Sequence, residues 1–221
     1  MSTFLNWEAE AFGDIQMVDM EENMNDGKSY EYFASLGNMY PADVDATERP
    51  WDYAMKLDDD AFLNIPNLLE RLRPMVPRRN TWFVRSLAPT LSLLNVNDSS
   101  QGSGDVEELY MYGPGYVLSW DLVTWLSDHR EELQGFMYGW EDKMISEMLK
   151  WGGKAADSWV SAVNEYTSYP AMPTNHGPWS RELGPDIILV HGLKSVGLLG
   201  EVIQYFLGNE TLISEETVGN I

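Results

Sequence analysis

The sequence predicts a three-layer α/β domain, and three observations carry that reading. Segments with strand-like and helix-like patterning alternate along most of the 221 residues. Hydrophobic residues make up 44% of the chain, enough to bury a core. The clearest strand, Trp51-Asp-Tyr-Ala-Met-Lys-Leu, runs directly into Asp58-Asp59-Asp60, and in open α/β sheets the carboxyl ends of strands carry the ligand crevice. The length fits one domain.

The elements follow in order. Before Tyr40, an apolar patch from Phe12 to Met20 gives way to the polar stretch Glu21 to Lys28. Residues 29–39 then read as a helix, with Tyr32, Phe33 and Leu36 on one side. Residues 41–50 are acidic and polar, hence a loop. Trp51, Tyr53, Met55 and Leu57 alternate with Asp52, Ala54 and Lys56, the period of a strand. Asn64 with Pro66 two residues later marks a helix start, with Leu68, Leu69 and Leu72 as its buried face and Pro74 and Pro77 as its stop. Thr81 to Arg85 is a short strand, and the small polar residues 97–105 form a mobile loop. A glycine turn at 113–115 leads into an apolar strand ending at Ser119. A helix follows from there with Leu122, Val123 and Leu126 inward. Another begins near Trp140, buries Met144, Ile145, Met148 and Leu149, and ends at Gly152 and Gly153. Residues 168–185 are irregular, 186–191 form a buried strand, and Val196 to Leu207 is a last amphipathic helix.

Composition excludes several classes of function. Thirty-five acidic residues against 14 basic ones give a formal charge of −21, and such a surface repels nucleic acid instead of releasing its counterions. An anionic ligand therefore needs local charge cancellation, for which a divalent metal is suited. The absence of cysteine excludes disulfides, thiolate nucleophiles and Cys-based zinc sites. No stretch of about 18 uncharged apolar residues spans a bilayer, and no signal peptide is visible at Met1. The sequons at Asn97 and Asn209 are acceptors only if the chain enters the secretory pathway.

Three adjacent carboxylates repel one another by about 1 kcal/mol per pair even in water. Strand alternation sends Asp58 and Asp60 to one side and Asp59 to the other. Two hard carboxylates on one side suit Mg²⁺ or Mn²⁺ that also holds substrate phosphates. The competing reading is an exposed acidic turn. Lys56 either steadies these acids or is solvated.

The stretch Leu57-Asp-Asp-Asp-Ala-Phe-Leu-Asn resembles the metal-binding signature of glycosyltransferase family 31, the β-1,3-galactosyltransferase-like hexosyltransferases. Three further pieces resemble that family in order: Phe12-Gly-Asp-Ile-Gln-Met-Val-Asp with the helix start at 23–32, Gly113-Pro-Gly-Tyr-Val-Leu-Ser, and Trp140-Glu-Asp-Lys-Met. The wording around Asn23 and Gly27 is most similar to fungal members. The resemblance runs from about Glu8 to Lys194. It implies the GT-A fold, a Rossmann-like three-layer α/β/α arrangement around one mixed central sheet, with 1–110 as the nucleotide and metal half and 111–221 as the acceptor half. Members begin with a strand and helix ahead of the first motif and carry a membrane anchor. This chain is expected to lack both, which puts the activity of the shortened polypeptide in question.

The resemblance further implies an inverting transfer of galactose or N-acetylglucosamine from a UDP-sugar to an acceptor hydroxyl, assisted by Mn²⁺ (or Mg²⁺), in the Golgi. The implied metal ligands are Asp58, Asp60 and His191. Asp58, Asp59, Lys56 and Lys194 serve the donor, and Asp142 is the base with Glu141 beside it. Gly113, Pro114, Gly115 and Trp140 meet the acceptor. Each has a plainer reading: acids complementing a helix N-terminus for Glu141 and Asp142, a structural histidine, a solvated Lys194, an ordinary turn, and Trp140 or Tyr112 in the core. His129 is expected to be solvated, and His176 is given no role. A catalytically silent relative that binds a glycan or partner is the main alternative. A haloacid-dehalogenase-type phosphohydrolase fits poorly because Phe62 stands where Thr or Val is expected.

Overall fold

A computed structural model of the chain describes residues 7, 10–13, 20, 25–40, 51–74, 81–84, 111, 113–154, 158–161, 166–168 and 182–208. The expected loops at 41–50 and 97–105, most of the patch from Phe12 to Met20, residues 169–181 of the irregular segment (which include His176), and Tyr112 lie outside these residues.

The alternating segment after Trp51 forms β1 (Tyr53–Leu57). It pairs antiparallel with β4 (Gly115–Ser119), placing Ala54 opposite Leu118, Met55 opposite Val117 and Lys56 opposite Tyr116. With β3 (Thr81–Val84) and β5 (Ser158–Ser161) they make a four-stranded mixed sheet in the order β1-β4-β3-β5. Among the described residues the strands fall into two sheets, where one mixed central sheet is expected. At the aspartates the chain turns, with the Ala61 N–H donating to the Asp58 carbonyl at 3.2 Å. β2 (Ala61–Leu63) therefore leaves the first sheet and pairs antiparallel with β7 (Leu189–His191), to which β6 (Tyr166–Ser168) adds in parallel.

Side-chain alternation explains how the layers stack. One face of the first sheet presents Ala54, Tyr116 and Leu118 to α1 (Lys28–Met39), α3 (Trp120–Asp128) and α5 (Glu141–Trp151). Tyr30, Phe33, Trp120, Leu122 and Met148 are buried there, each worth about 1.5–3 kcal/mol of apolar burial. The other face presents Tyr53, Met55 and Val117 to Leu189 of the second sheet and to Leu68 and Leu72 of α2 (Ile65–Leu72). Phe62 and Val190, on the far side of the second sheet, pack with Val202 of α6 (Val196–Leu207). The predicted three layers thus gain a second sheet and an outer helix. A short α4 (Arg130–Leu133) follows α3.

Most expected helix ends hold. Asn64 caps α2, its side chain accepting from the Asn67 N–H at 3.3 Å, and Ser195 caps α6 in the same way through Leu198. Leu69, expected to be buried, is exposed. Leu68 and Leu72 stand four apart on one helical stripe, and Leu69 is turned about 100° away from Leu68. His129, expected in solvent, is half-buried and stacks on Trp125 at 4.7 Å, with its Nδ1 2.9 Å from the Trp125 carbonyl oxygen.

Candidate active site and metal centre

The turn between β1 and β2 carries the acid triplet, and strand pairing delivers its partners. Ala61 and His191 are opposite one another in the β2–β7 ladder, so the imidazole lies beside the aspartates. His191 Nε2 is 3.3 Å from Asp60 Oδ1 and 3.7 Å from Asp58 Oδ2. One ligand atom from each of Asp58, Asp60 and His191 falls within 4.8 Å of the others. The backbone fixes the arrangement further, as the Leu193 N–H donates to the Asp60 carbonyl at 2.9 Å. Asp59 is exposed and turned out of the cluster.

Two lysines answer this charge. Lys194 forms an ion pair with Asp60 Oδ2 while remaining 76% exposed. Burial raises the Asp60 carboxyl pKa, but the Lys194 hydrogen bond and the charges of His191 and Lys194 together pull it below its ordinary value. The same hydrogen bond, with the Asp60 charge, holds the Lys194 ammonium above its usual range. Lys56 is only 13% exposed. It pairs with Asp58 Oδ1, donates to the Gly113 carbonyl at 2.5 Å and lies 3.6 Å from Glu141 Oε1.

The turn at 113–115 is tied to the triplet, since the Asp58 N–H donates to the Pro114 carbonyl at 3.1 Å. Pro114 and Gly115 are buried. Gly115 has a packing reason: a Cβ there would stand 2.6 Å from Leu189 Cδ1. Glu141 opens α5 and accepts a hydrogen bond from Ser29 Oγ, near the start of α1. Asp142 is the second residue of α5; its side chain lies outside the described residues. Trp140 caps that helix and is 70% exposed, which removes the core reading.

This arrangement joins an acidic ligand cluster to a helix start carrying two acids, and the sequence that carries the aspartates and that helix start is similar to known proteins. Residues 1–153 match the family model described as Galactosyltransferase. The chain belongs to the galactosyltransferase family. It is 24% identical, over 90% of its length, to the β-1,3-galactosyltransferase pvg3 of Schizosaccharomyces pombe. It is also 26% identical, over 60% of its length, to UDP-GalNAc:β-1,3-N-acetylgalactosaminyltransferase 2 of Xenopus tropicalis. The aligned regions span 60% and 26% of those two relatives.

Within this galactosyltransferase-family domain, Asp58, Asp60, His191, Lys56, Lys194 and Glu141 fall into one connected cluster. Gly113 and Pro114 adjoin it through backbone contacts. Sequence reading missed Ser29. Its partner Glu141 is 112 positions away, and a serine in a first helical turn carries no signal of such a contact.

Proposed function

We propose that this domain is of the GT-A type and transfers a hexose, galactose or N-acetylglucosamine in kind, from a UDP-sugar to an acceptor hydroxyl with inversion. The observation that carries the reading is the convergence of Asp58, Asp60 and His191 within 4.8 Å. Two carboxylates and an imidazole suit a divalent transition ion such as Mn²⁺, the imidazole tilting the set away from Mg²⁺. These three residues would hold it, Asp58 and Asp60 from the nucleotide half (1–110) and His191 from the acceptor half (111–221).

A bound Mn²⁺ supplies Lewis-acid stabilisation of a departing diphosphate. The chain's own residues do the rest. Lys194, exposed beside Asp60, offers a cation to the phosphates, which a protein of charge −21 otherwise repels. Asp142 accepts the proton of the incoming hydroxyl, and its place in the first turn of α5 favours the ionised base. The Gly113–Gly115 turn and the exposed Trp140 ring border the acceptor side, where an indole face stacks on a sugar. Asp59 serves the donor from outside the metal cluster.

The relatives' printed activities, β-1,3-galactosyl and β-1,3-N-acetylgalactosaminyl transfer, support a hexosyltransferase. The family resemblance supports a Golgi address. Among the described residues no helix is long and apolar enough to cross a membrane. Isothermal titration of UDP with and without Mn²⁺ tests the proposal. Binding only with Mn²⁺, lost in Asp60→Ala, is expected; a folded protein that binds no UDP under either condition supports a catalytically silent relative instead.

A further inference from the structure

We infer that Lys56 is a positioning residue, and that the chain of side chains Ser29, Glu141, Lys56 and Asp58 fixes which carboxylate oxygen Asp58 turns toward His191. The inference rests on the reading of Asp58 as a metal ligand. The two aspartates share one arrangement: each gives one oxygen to a lysine and the other to the imidazole. Asp58 offers Oδ1 to Lys56 and Oδ2 to His191, while Asp60 offers Oδ2 to Lys194 and Oδ1 to His191.

The lysines differ in what anchors them. Lys194 reaches Asp60 from solvent at 76% exposure. Lys56 is 13% exposed, and its ammonium donates to two acceptors and lies 3.6 Å from a third oxygen, drawn from three parts of the chain. These are Asp58 at the end of β1, the Gly113 carbonyl of the turn, and Glu141 at the start of α5. A lysine so largely removed from water needs its counter-charges, because an unpaired cation there loses hydration that nothing replaces. Glu141 is itself held by the Ser29 hydroxyl of α1. The cluster thus couples α1, α5 and the turn to the orientation of one ligand, the role of groups that surround metal sites. Glu141 acts on Asp58 through Lys56.

The test titrates Mn²⁺ alone into the intact chain, by calorimetry or by the electron paramagnetic resonance of free Mn²⁺. Wild type is compared with Lys56→Met, Glu141→Gln, the double variant and Ser29→Ala, each checked for folding by circular dichroism. Positioning and simple charge make opposite predictions for Lys56→Met. Removing a neighbouring cation by Coulomb's law alone tightens Mn²⁺ binding, whereas loss of orientation weakens it, by about tenfold. Glu141→Gln is expected to weaken binding in the wild type and to add nothing in the Lys56→Met background. Ser29→Ala, which changes no charge, gives a smaller loss in the same direction. Tighter binding in Lys56→Met, additive losses in the double variant, or unchanged affinity in Ser29→Ala overturns the inference. Wild-type protein that binds no Mn²⁺ overturns both this inference and the metal reading beneath it, so the two failures are distinguishable.

Discussion

His191 Nε2 stands 3.3 Å from Asp60 Oδ1 because the β2–β7 ladder sets His191 opposite Ala61. The two residues are more than 130 positions apart, and a slip of one residue in that register turns the imidazole to the opposite face of the sheet. The pairing of two three-residue strands therefore decides whether the aspartates have an imidazole beside them.

The first prediction concerns that imidazole. His191→Ala lowers Mn²⁺ affinity by about tenfold or more, equivalent to roughly 1.4 kcal/mol, read by metal titration. Its melting temperature stays near wild type, because the side chain is partly exposed and fills no core. Undiminished Mn²⁺ affinity removes His191 from the ligand set.

Asp142→Asn is expected to retain Mn²⁺-dependent UDP binding and to lose sugar transfer by about 10²–10⁴-fold, the usual worth of a positioned base. The assay is transfer of labelled hexose to acceptor, alongside the UDP titration. An Asn variant that still transfers at the wild-type rate excludes Asp142 as the base.

Local sequence pattern located most of what local physics determines. The strand period of Tyr53–Leu57, the proline and asparagine signals around α2, and the apolar stripe of α5 each predicted the element found. The grouping of Asp58, Asp60 and His191 was expected from resemblance, and the ladder brings it about. The second sheet was not legible, because β2 and β6 have three residues each and their pairing is set by partners far along the chain. For Lys56 the sequence leaves two readings open, and its pair with Asp58 favours the one in which it steadies the acids; Glu141, 85 positions later, carries no sequence signal of its nearness. Gly115 reads in the sequence as an acceptor-side or ordinary turn glycine, and its close neighbour Leu189 is far along the chain.

Two glycines make a paired stability prediction. Gly37 of α1 packs against α3 so closely that a Cβ would stand 2.6 Å from Ser127 Cβ and 3.0 Å from the Val123 carbonyl oxygen. Gly37→Ala therefore destabilises by about 1–2 kcal/mol, overpacking exceeding the helix-propensity gain. Gly200, inside α6, has no atom within 4 Å of such a Cβ. Gly200→Ala stabilises by about 0.4–1 kcal/mol. Urea midpoints of the two variants on opposite sides of wild type are the expected result.

Alkaline stability provides the last test, through Tyr30. Its ring is fully buried between α1 and α3, and its hydroxyl donates to the Leu126 carbonyl at 3.0 Å. Burial is the largest influence on the phenol, pushing its pKa from 10.0 to about 12; the Arg130 guanidinium opposes this, while Glu31 and Glu132 add to it. The folded state thus keeps a proton that the unfolded chain releases near pH 10. Between pH 10 and 12 the native form binds more protons, so its stability is intact below that window and falls as pH rises through it. The loss attributable to this phenol is about 2–3 kcal/mol by pH 12. Tyr32 and Tyr53 are raised by burial as well and share the direction. Tyr30→Phe should cost about 1 kcal/mol at pH 7 through the lost hydrogen bond, yet show a shallower decline in urea midpoint from pH 9 to 11. An identical alkaline slope in wild type and Tyr30→Phe would mean that this phenol ionises as easily in the folded chain as in the unfolded one.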